Sequence, residues 1–106
     1  MIVHIVFWRL HQTANGKSKI DNAREIKARF EALRPIISGL RRLDVGIDFA
    51  GTAQSSDIAL YTEFDSREAL DAYQLHPAHQ EVAVFLAPLR TERRVVDYEV
   101  AGSLGS

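Results

Sequence analysis

Hydrophobic periodicity along this chain predicts an α+β fold, because segments that alternate every second residue are interleaved with segments that repeat every three or four residues. The predicted order is strand, helix, strand, strand, helix, strand. This order is typical of the split βαβ, or ferredoxin-like, arrangement, in which helices cover one face of a four-stranded antiparallel sheet. With 106 residues, the chain suffices for one domain, expected over residues 1–100, and the tail AGSLGS (101–106) is expected to be flexible.

The first predicted strand is IVHIVFWRL, and both of its alternating faces are mostly apolar. Such a strand is covered on two sides. One face carries Ile2, His4, Val6, Trp8 and Leu10, and the other carries Val3, Ile5, Phe7 and Arg9.

A loop, HQTANGKS, leads into a helix predicted from about Ser18. Its apolar positions recur at three- and four-residue intervals, which places them on one side of the helix. They are Ile20, Ala23, Ile26, Phe30 and Leu33. Pro35 is expected to end the helix near Leu33 or Arg34.

Two further strands are predicted in RLDVGIDF and DIALYTEF, joined by the turn-rich AGTAQSS. In each, alternate residues form an apolar face. These residues are Leu43, Val45, Ile47 and Phe49 in the first strand, and Ile58, Leu60, Thr62 and Phe64 in the second.

The last part of the chain predicts two helices and a strand. Asp65 followed by Glu68 indicates a capped helix start, and the helix is expected to end near Leu75. Pro77 suits the first position of a second helix, which Pro88 closes. RRVVDYEV then supplies the fourth strand.

Composition excludes several function classes. Thirteen basic and fourteen acidic residues, with the basic ones scattered, form no footprint for nucleic acid. The sequence contains no run of about 18 apolar residues, the length that a membrane span needs, and its first residues do not resemble a signal peptide. A cytoplasmic location is therefore expected. The absence of cysteine removes disulfides and thiolate chemistry.

A homodimer is predicted from the face of the sheet that the helices leave bare. That face would carry Val3, Ile5, Phe7, Val96, Tyr98 and the rim residue Tyr61. Exposure of these apolar side chains as one continuous patch is unfavourable in water. A second subunit is therefore expected to cover the patch, forming a dimeric α+β barrel.

The chain resembles the stress-responsive α/β barrel (Dabb) family over nearly its whole length. The residues that carry the resemblance are IVHIVFWRL, DIALYTEFDSREALDAYQLHPAHQEV and RRVVDYEV, above all Y-x-x-H-P-x-H at Tyr73 to His79 and the pair Asp97-Tyr98. Within the family, this segment is similar to that of olivetolic acid cyclase, a cofactor-free polyketide cyclase. The resemblance matches the catalytic tyrosine and histidine of that enzyme to Tyr73 and His79, whereas Ile58 is apolar where the cyclase has a histidine.

That resemblance implies a pocket for a hydrophobic small molecule and chemistry without a cofactor or metal. A neutral His79 would take a proton from the carbon beside a carbonyl, and the Tyr73 hydroxyl would stabilise the oxygen that becomes negative. His4 would add a polar group to the cavity. The other residues expected to contact a substrate are Val6, Trp8, Phe30, Ile58, Leu60 and Val82.

Structural roles compete with these assignments. His76 fits a helix boundary, His4 a satisfied core histidine, and Tyr73 and His79 a packed ring and a backbone-bonded imidazole. The His76–His79 spacing suits a metal pair, but Pro77 breaks the helical geometry that would aim both rings alike.

Three functions remain open at the level of the sequence. The chain is an enzyme of the cyclase or lyase type, a dimeric protein that binds a small ligand or acts in a stress response without turnover, or a cofactor-free monooxygenase-like barrel. Substrate identity does not follow from the residues.

Overall fold

A computed structural model describes residues 1–101, so most of the tail predicted to be flexible lies outside the described residues. In chain order, the strands and helices are β1 (Ile2–Leu10), β2 (Thr13–Ala14), β3 (Lys17–Ser18), α1 (Lys19–Glu31), β4 (Leu40–Ile47), β5 (Ile58–Phe64), α2 (Arg67–Leu75), α3 (Pro77–Leu86) and β6 (Arg90–Glu99). A short 3-10 helix, Ala87–Leu89, joins α3 to β6.

The main sheet has the strand order β4-β5-β1-β6, and every neighbouring pair is antiparallel. The first strand of the chain is therefore central, and the last lies at the edge. The helices pack on one side of this sheet, which confirms the predicted α+β, ferredoxin-like fold. Among residues 1–101, no helix is long and apolar enough to cross a membrane.

The core lies between the helices and the inner face of the sheet. Alternation in β1 and β5 matches the prediction, because the predicted inward residues of both strands are buried. From the helix side, Ala23, Ile26, Phe30, Leu70, Tyr73 and Val82 complete the core.

Each of the three α-helices begins at a side chain that accepts a backbone hydrogen bond, which satisfies one of the free N–H groups of the first turn. Ser18 caps α1, Ser66 caps α2, and the His76 ring caps α3 ahead of Pro77. The predicted capping role of Asp65 is wrong, because Ser66 accepts the bond and Asp65 instead pairs with Arg41 at 3.0 Å.

Three further expectations differ from the structure. Ile20 is 43% exposed, because it sits in the first turn of α1, and Phe49 is fully exposed, because β4 ends at Ile47. The predicted loop HQTANGKS contains the small β2–β3 hairpin. Asn15 (φ 53°) and Gly16 (φ 74°) turn that hairpin in the left-handed conformation, which asparagine and glycine tolerate.

Candidate functional site

A cavity of about 100 Å³ lies between the inner face of the sheet and the helices α1 and α3. It is apolar over most of its wall and carries two imidazoles. The exposed side chains of Arg90 and Arg93, on β6, border it on the edge of the sheet. The full lining is His4, Val6, Trp8, Phe30, Leu60, His79, Ala83, Leu86, Arg90 and Arg93.

The break between α2 and α3 brings Tyr73 and His79 together. His76 is extended (φ −65°, ψ 132°), and its Nδ1 atom accepts a hydrogen bond from the backbone N–H of Ala78 at 3.0 Å. Pro77 then starts α3. As a result, the ring centres of Tyr73 and His79 are 4.3 Å apart and inclined at 49°.

His79 is held in one tautomer by the end of α2. Its Nδ1 atom lies 3.3 Å from the backbone oxygen of Gln74, and because a carbonyl only accepts, Nδ1 must donate. In the neutral ring, Nε2 is then the atom left to accept a proton.

Burial lowers the pKa of His79 below its usual 6.5, and the charges of His4, Arg93 and His76 lower it further. The Gln74 carbonyl opposes this shift by favouring the protonated ring. The net lowering keeps the imidazole neutral at neutral pH, as a proton acceptor requires.

Tyr73 is 1% exposed, and its hydroxyl has no hydrogen-bond partner among the described residues. The ring packs 5.0 Å from the ring of Phe64 and 6.3 Å from that of His4, measured between centres. Burial raises the pKa of this phenol, so the group stays protonated and can only donate or accept a hydrogen bond as a neutral hydroxyl. A buried hydroxyl without a partner carries a desolvation cost, and a ligand oxygen could remove it.

His4 has a carboxylate partner that sequence reasoning missed. It lies opposite Asp97 in the register of β1 and β6, and its Nδ1 atom donates a hydrogen bond to the Asp97 carboxylate. The His4 side chain is almost fully buried, whereas that of Asp97 is 44% exposed. A carboxylate on the inward-alternating face of β6 was the available signal, but its pairing with His4 required the register.

Most of the apolar residues expected at the site line the cavity. Val6, Trp8, Phe30 and Leu60 do so, and the Trp8 and Phe30 rings stack with their centres 5.5 Å apart. Tyr73, predicted to be catalytic, is not among the residues that line the cavity, and it packs against the ring of His79, which is one of them. Ile58 and Val82, predicted to contact a substrate, do not border the cavity. Both side chains pack into the core instead, at 1% and 5% exposure. Ala83, Leu86, Arg90 and Arg93 were not predicted.

His76 and His79 do not aim at a common point, because one ring bonds the N–H of Ala78 and the other bonds the carbonyl of Gln74. Within residues 1–101, no group of three or more histidine, aspartate or glutamate side chains is placed to hold a metal ion.

The chain matches the model of the stress-responsive A/B barrel domain, Dabb, over residues 2–100. The chain belongs to the Dabb family. A comparison with curated proteins finds no match for this Dabb chain.

Solved structures similar to this Dabb protein include two dimeric proteins of unknown function with ferredoxin-like folds. One, from Bacteroides fragilis, is 32% identical with a TM-score of 0.83, and the match covers 93% of this chain and 95% of that one. The other, from Thermobifida fusca, is 25% identical with a TM-score of 0.80 over 93% and 90% of the two chains. Hydroxynitrile lyase from Passiflora edulis shares the fold at 20% identity, with a TM-score of 0.77 over 97% and 95%.

Proposed function

We propose that this Dabb protein binds a small carbonyl compound in the cavity and removes a proton from the carbon beside the carbonyl. The observation that supports this proposal is the buried, unpartnered hydroxyl of Tyr73 beside a histidine whose pKa is lowered. His79 Nε2 would accept the proton, and Tyr73 would donate a hydrogen bond to the carbonyl oxygen as it gains negative charge. The chemistry uses side chains alone.

His4 would act beside this pair as a positioned polar group. Asp97 accepts a hydrogen bond from Nδ1, which leaves Nε2 as the other polar atom of this ring, and His4 is one of the residues that line the cavity. The ring can form a hydrogen bond with a hydroxyl group of the ligand, or with a water molecule beside the ligand, and so fix its position.

The volume of the cavity favours a small ligand. About 100 Å³ corresponds to a few water molecules, at roughly 30 Å³ each in the liquid. A full polyketide chain exceeds this space unless the walls move, so a short ketone fits better than the long substrate of a polyketide cyclase. The fold supports lyase chemistry in another protein, since hydroxynitrile lyase from Passiflora edulis shares it.

We also propose that the working form is a homodimer whose sheets face each other. Phe7, Val96 and Tyr98 are between 39% and 47% exposed on the face that the helices leave bare. A groove of about 470 Å³ continues this face toward the exposed Phe49. Covering each few hundred Å² of apolar surface is worth several kcal/mol at about 25 cal/mol per Å², before the costs of association. The similar proteins from Bacteroides fragilis and Thermobifida fusca are dimeric.

Hydrogen–deuterium exchange tests the chemistry without knowledge of the natural substrate. Short ketones in deuterated buffer are followed by proton NMR, and the protein is expected to speed the loss of signal from the carbon beside the carbonyl. His79→Ala should reduce that acceleration by about 100-fold or more, the usual range for a general base. His11→Ala, which changes an exposed histidine away from the cavity, is the matched control.

Equal exchange with the native protein and with His79→Ala would refute the assigned base. A protein that only binds would instead show thermal stabilisation by ketones that persists in His79→Ala, with no exchange in either form.

A further inference from the structure

The arginines of this chain divide into two groups. Eight of the ten have a carboxylate oxygen between 2.7 and 3.9 Å from a guanidinium nitrogen. For Arg90 and Arg93, no carboxylate of residues 1–101 lies in that range. Both of these arginines border the cavity, and no other arginine does.

The register of β6 places this pair of cations on the inner side of the sheet. Arg93 lies opposite Trp8, and Arg90 lies opposite Leu10. The carboxylate of Asp97 is on the same side of β6, but four residues along a strand span about 13 Å. Asp97 is already bonded to His4 and leaves the charge of Arg93 uncompensated.

The positive charge of Arg93 reaches the proposed reacting groups. It lowers the pKa of Tyr73 and that of His79, although burial has the larger effect on each. Arg93 and His79 line the same cavity, and Tyr73 packs against the ring of His79 with the ring centres 4.3 Å apart. The cavity therefore has a charged end, formed by Arg90 and Arg93, and its remaining wall is mostly apolar apart from the imidazoles of His4 and His79.

We propose that the ligand of this cavity is a small keto acid, whose carboxylate is bound by Arg93 and Arg90 and whose carbonyl lies beside Tyr73. This inference rests on the function proposed above and names the class of substrate for the same site. A guanidinium binds a carboxylate through two parallel N–H donors, which fixes the orientation of the ligand as well as its position. With the acid held at the β6 edge, the carbon beside the carbonyl faces His79.

The step is balanced without any further reagent. The carbon–hydrogen bond beside the carbonyl breaks, His79 Nε2 takes the proton, and the electron pair moves onto the carbonyl oxygen as an enolate. The Tyr73 hydroxyl donates a hydrogen bond to that oxygen. Reversal returns a proton or deuteron to the carbon, so nothing is oxidised or reduced.

The test compares levulinate, a keto acid, with its neutral methyl ester, using NMR titration of the backbone amides around the cavity. The acid is expected to bind about tenfold or more tightly than the ester, as a charge-assisted hydrogen bond provides. Added salt should weaken binding of the acid and leave that of the ester unchanged. Arg93→Gln should reduce the preference for the acid to about threefold or less.

Arg94→Gln is the matched control, since it removes the same charge one residue along β6. Arg94 points to the other face of the sheet and is paired with Glu92 at 2.8 Å, so the preference should persist. Equal affinity for acid and ester, a preference unchanged in Arg93→Gln, or no amide shift with levulinate would overturn the inference.

The two proposals fail separately. A preference for the acid that depends on Arg93, together with no exchange of deuterium into levulinate, would keep the keto acid as ligand and remove the base role of His79. Exchange that depends on His79 but proceeds equally in acid and ester would keep the reaction and remove the carboxylate from the substrate class.

Discussion

The ring centres of Tyr73 and His79 lie 4.3 Å apart, although Tyr73 is in the last turn of α2 and His79 is in the first turn of α3. The extended backbone of His76 makes this approach possible, because it turns the chain between the two helices. The contact joins a hydroxyl that has no hydrogen-bond partner within residues 1–101 to an imidazole with a lowered pKa.

Replacing Tyr73 with phenylalanine tests the first half of that contact. The change removes a buried hydroxyl without a partner, so the free energy of unfolding is expected to rise by about 1 kcal/mol while catalysed exchange falls. Urea denaturation measures the first effect, and proton NMR the second. Tyr61→Phe is the control, because its hydroxyl donates to Glu63 at 2.8 Å and its loss should cost about 1 kcal/mol. If Tyr73→Phe instead lowered the free energy of unfolding by as much as Tyr61→Phe does, the Tyr73 hydroxyl would have a hydrogen-bond partner in the folded protein.

Replacing Asp97 with alanine tests the His4 pair. His4 is 2% exposed, so loss of its acceptor leaves a buried N–H unpaired and should lower the free energy of unfolding by about 1 to 3 kcal/mol. In a His4→Phe background, the same replacement should cost less than about 0.5 kcal/mol, because the interaction is already absent. Equal costs in the two backgrounds, measured by urea denaturation, would show that the residues are not coupled.

The pH dependence of exchange reports the state of His79. Its pKa lies below 6.5, so the rate is expected to hold at neutral pH and to fall only as the pH drops below 6.5. In Arg93→Gln the decline should begin at a higher pH, because the charge of Arg93 lowers that pKa. If the rate declined over the same pH range in Arg93→Gln as in the native protein, the charge of Arg93 would have no effect on the pKa of His79.

The same group affects stability with a definite sign. Since the folded pKa of His79 is lower than its unfolded value, the unfolded chain takes up the proton first as the pH falls. The contribution of His79 to the free energy of unfolding is therefore fully present above pH 6.5 and is lost progressively as the pH falls below 6.5.

Val95 and Val96 provide a matched test of the dimer. Each is 47% exposed in the single chain, and they point to opposite faces of β6. Val96→Lys places two uncompensated cations in a two-fold interface, so the dimer dissociation constant should rise by about 100-fold or more, whereas Val95→Lys should leave it nearly unchanged. Sedimentation equilibrium measures both. Equal effects of the two replacements, or a native chain that is monomeric at micromolar concentration, would refute the face-to-face dimer.

Much of the fold follows from local patterns. Alternation identifies the inward face of β5, and Pro77 identifies the helix break, because each depends on residues close in sequence. Phe49 was assigned inward since its alternation continues past the end of β4, and a local pattern carries no information on where the neighbouring strand stops pairing. Asp65 and Ser66 are both good caps, and backbone geometry selects Ser66.

The candidate site was less predictable for a related reason. Tyr73 and His79 were predicted together because the family resemblance rests on one short segment that contains both. His4 and Asp97 are separated by most of the chain and meet only through the register of β1 and β6. Arg93 was not predicted at the site for the same reason, since its place beside the cavity depends on the edge position of β6.

Strand β6 serves both sides of the protein, with Asp97 directed toward the helices and Val96 toward the bare face. A slip of this strand by a single position along β1 would exchange those directions, because consecutive side chains project oppositely. His4 would then lie opposite Val96 or Tyr98, according to the direction of the slip, and the Asp97 carboxylate would point to the face that is proposed to join the two subunits. Insertion or deletion of one residue within 91–96 should thus abolish both the proposed proton transfer and the proposed dimer. A second substitution that restores only one of these two functions should leave the other one lost.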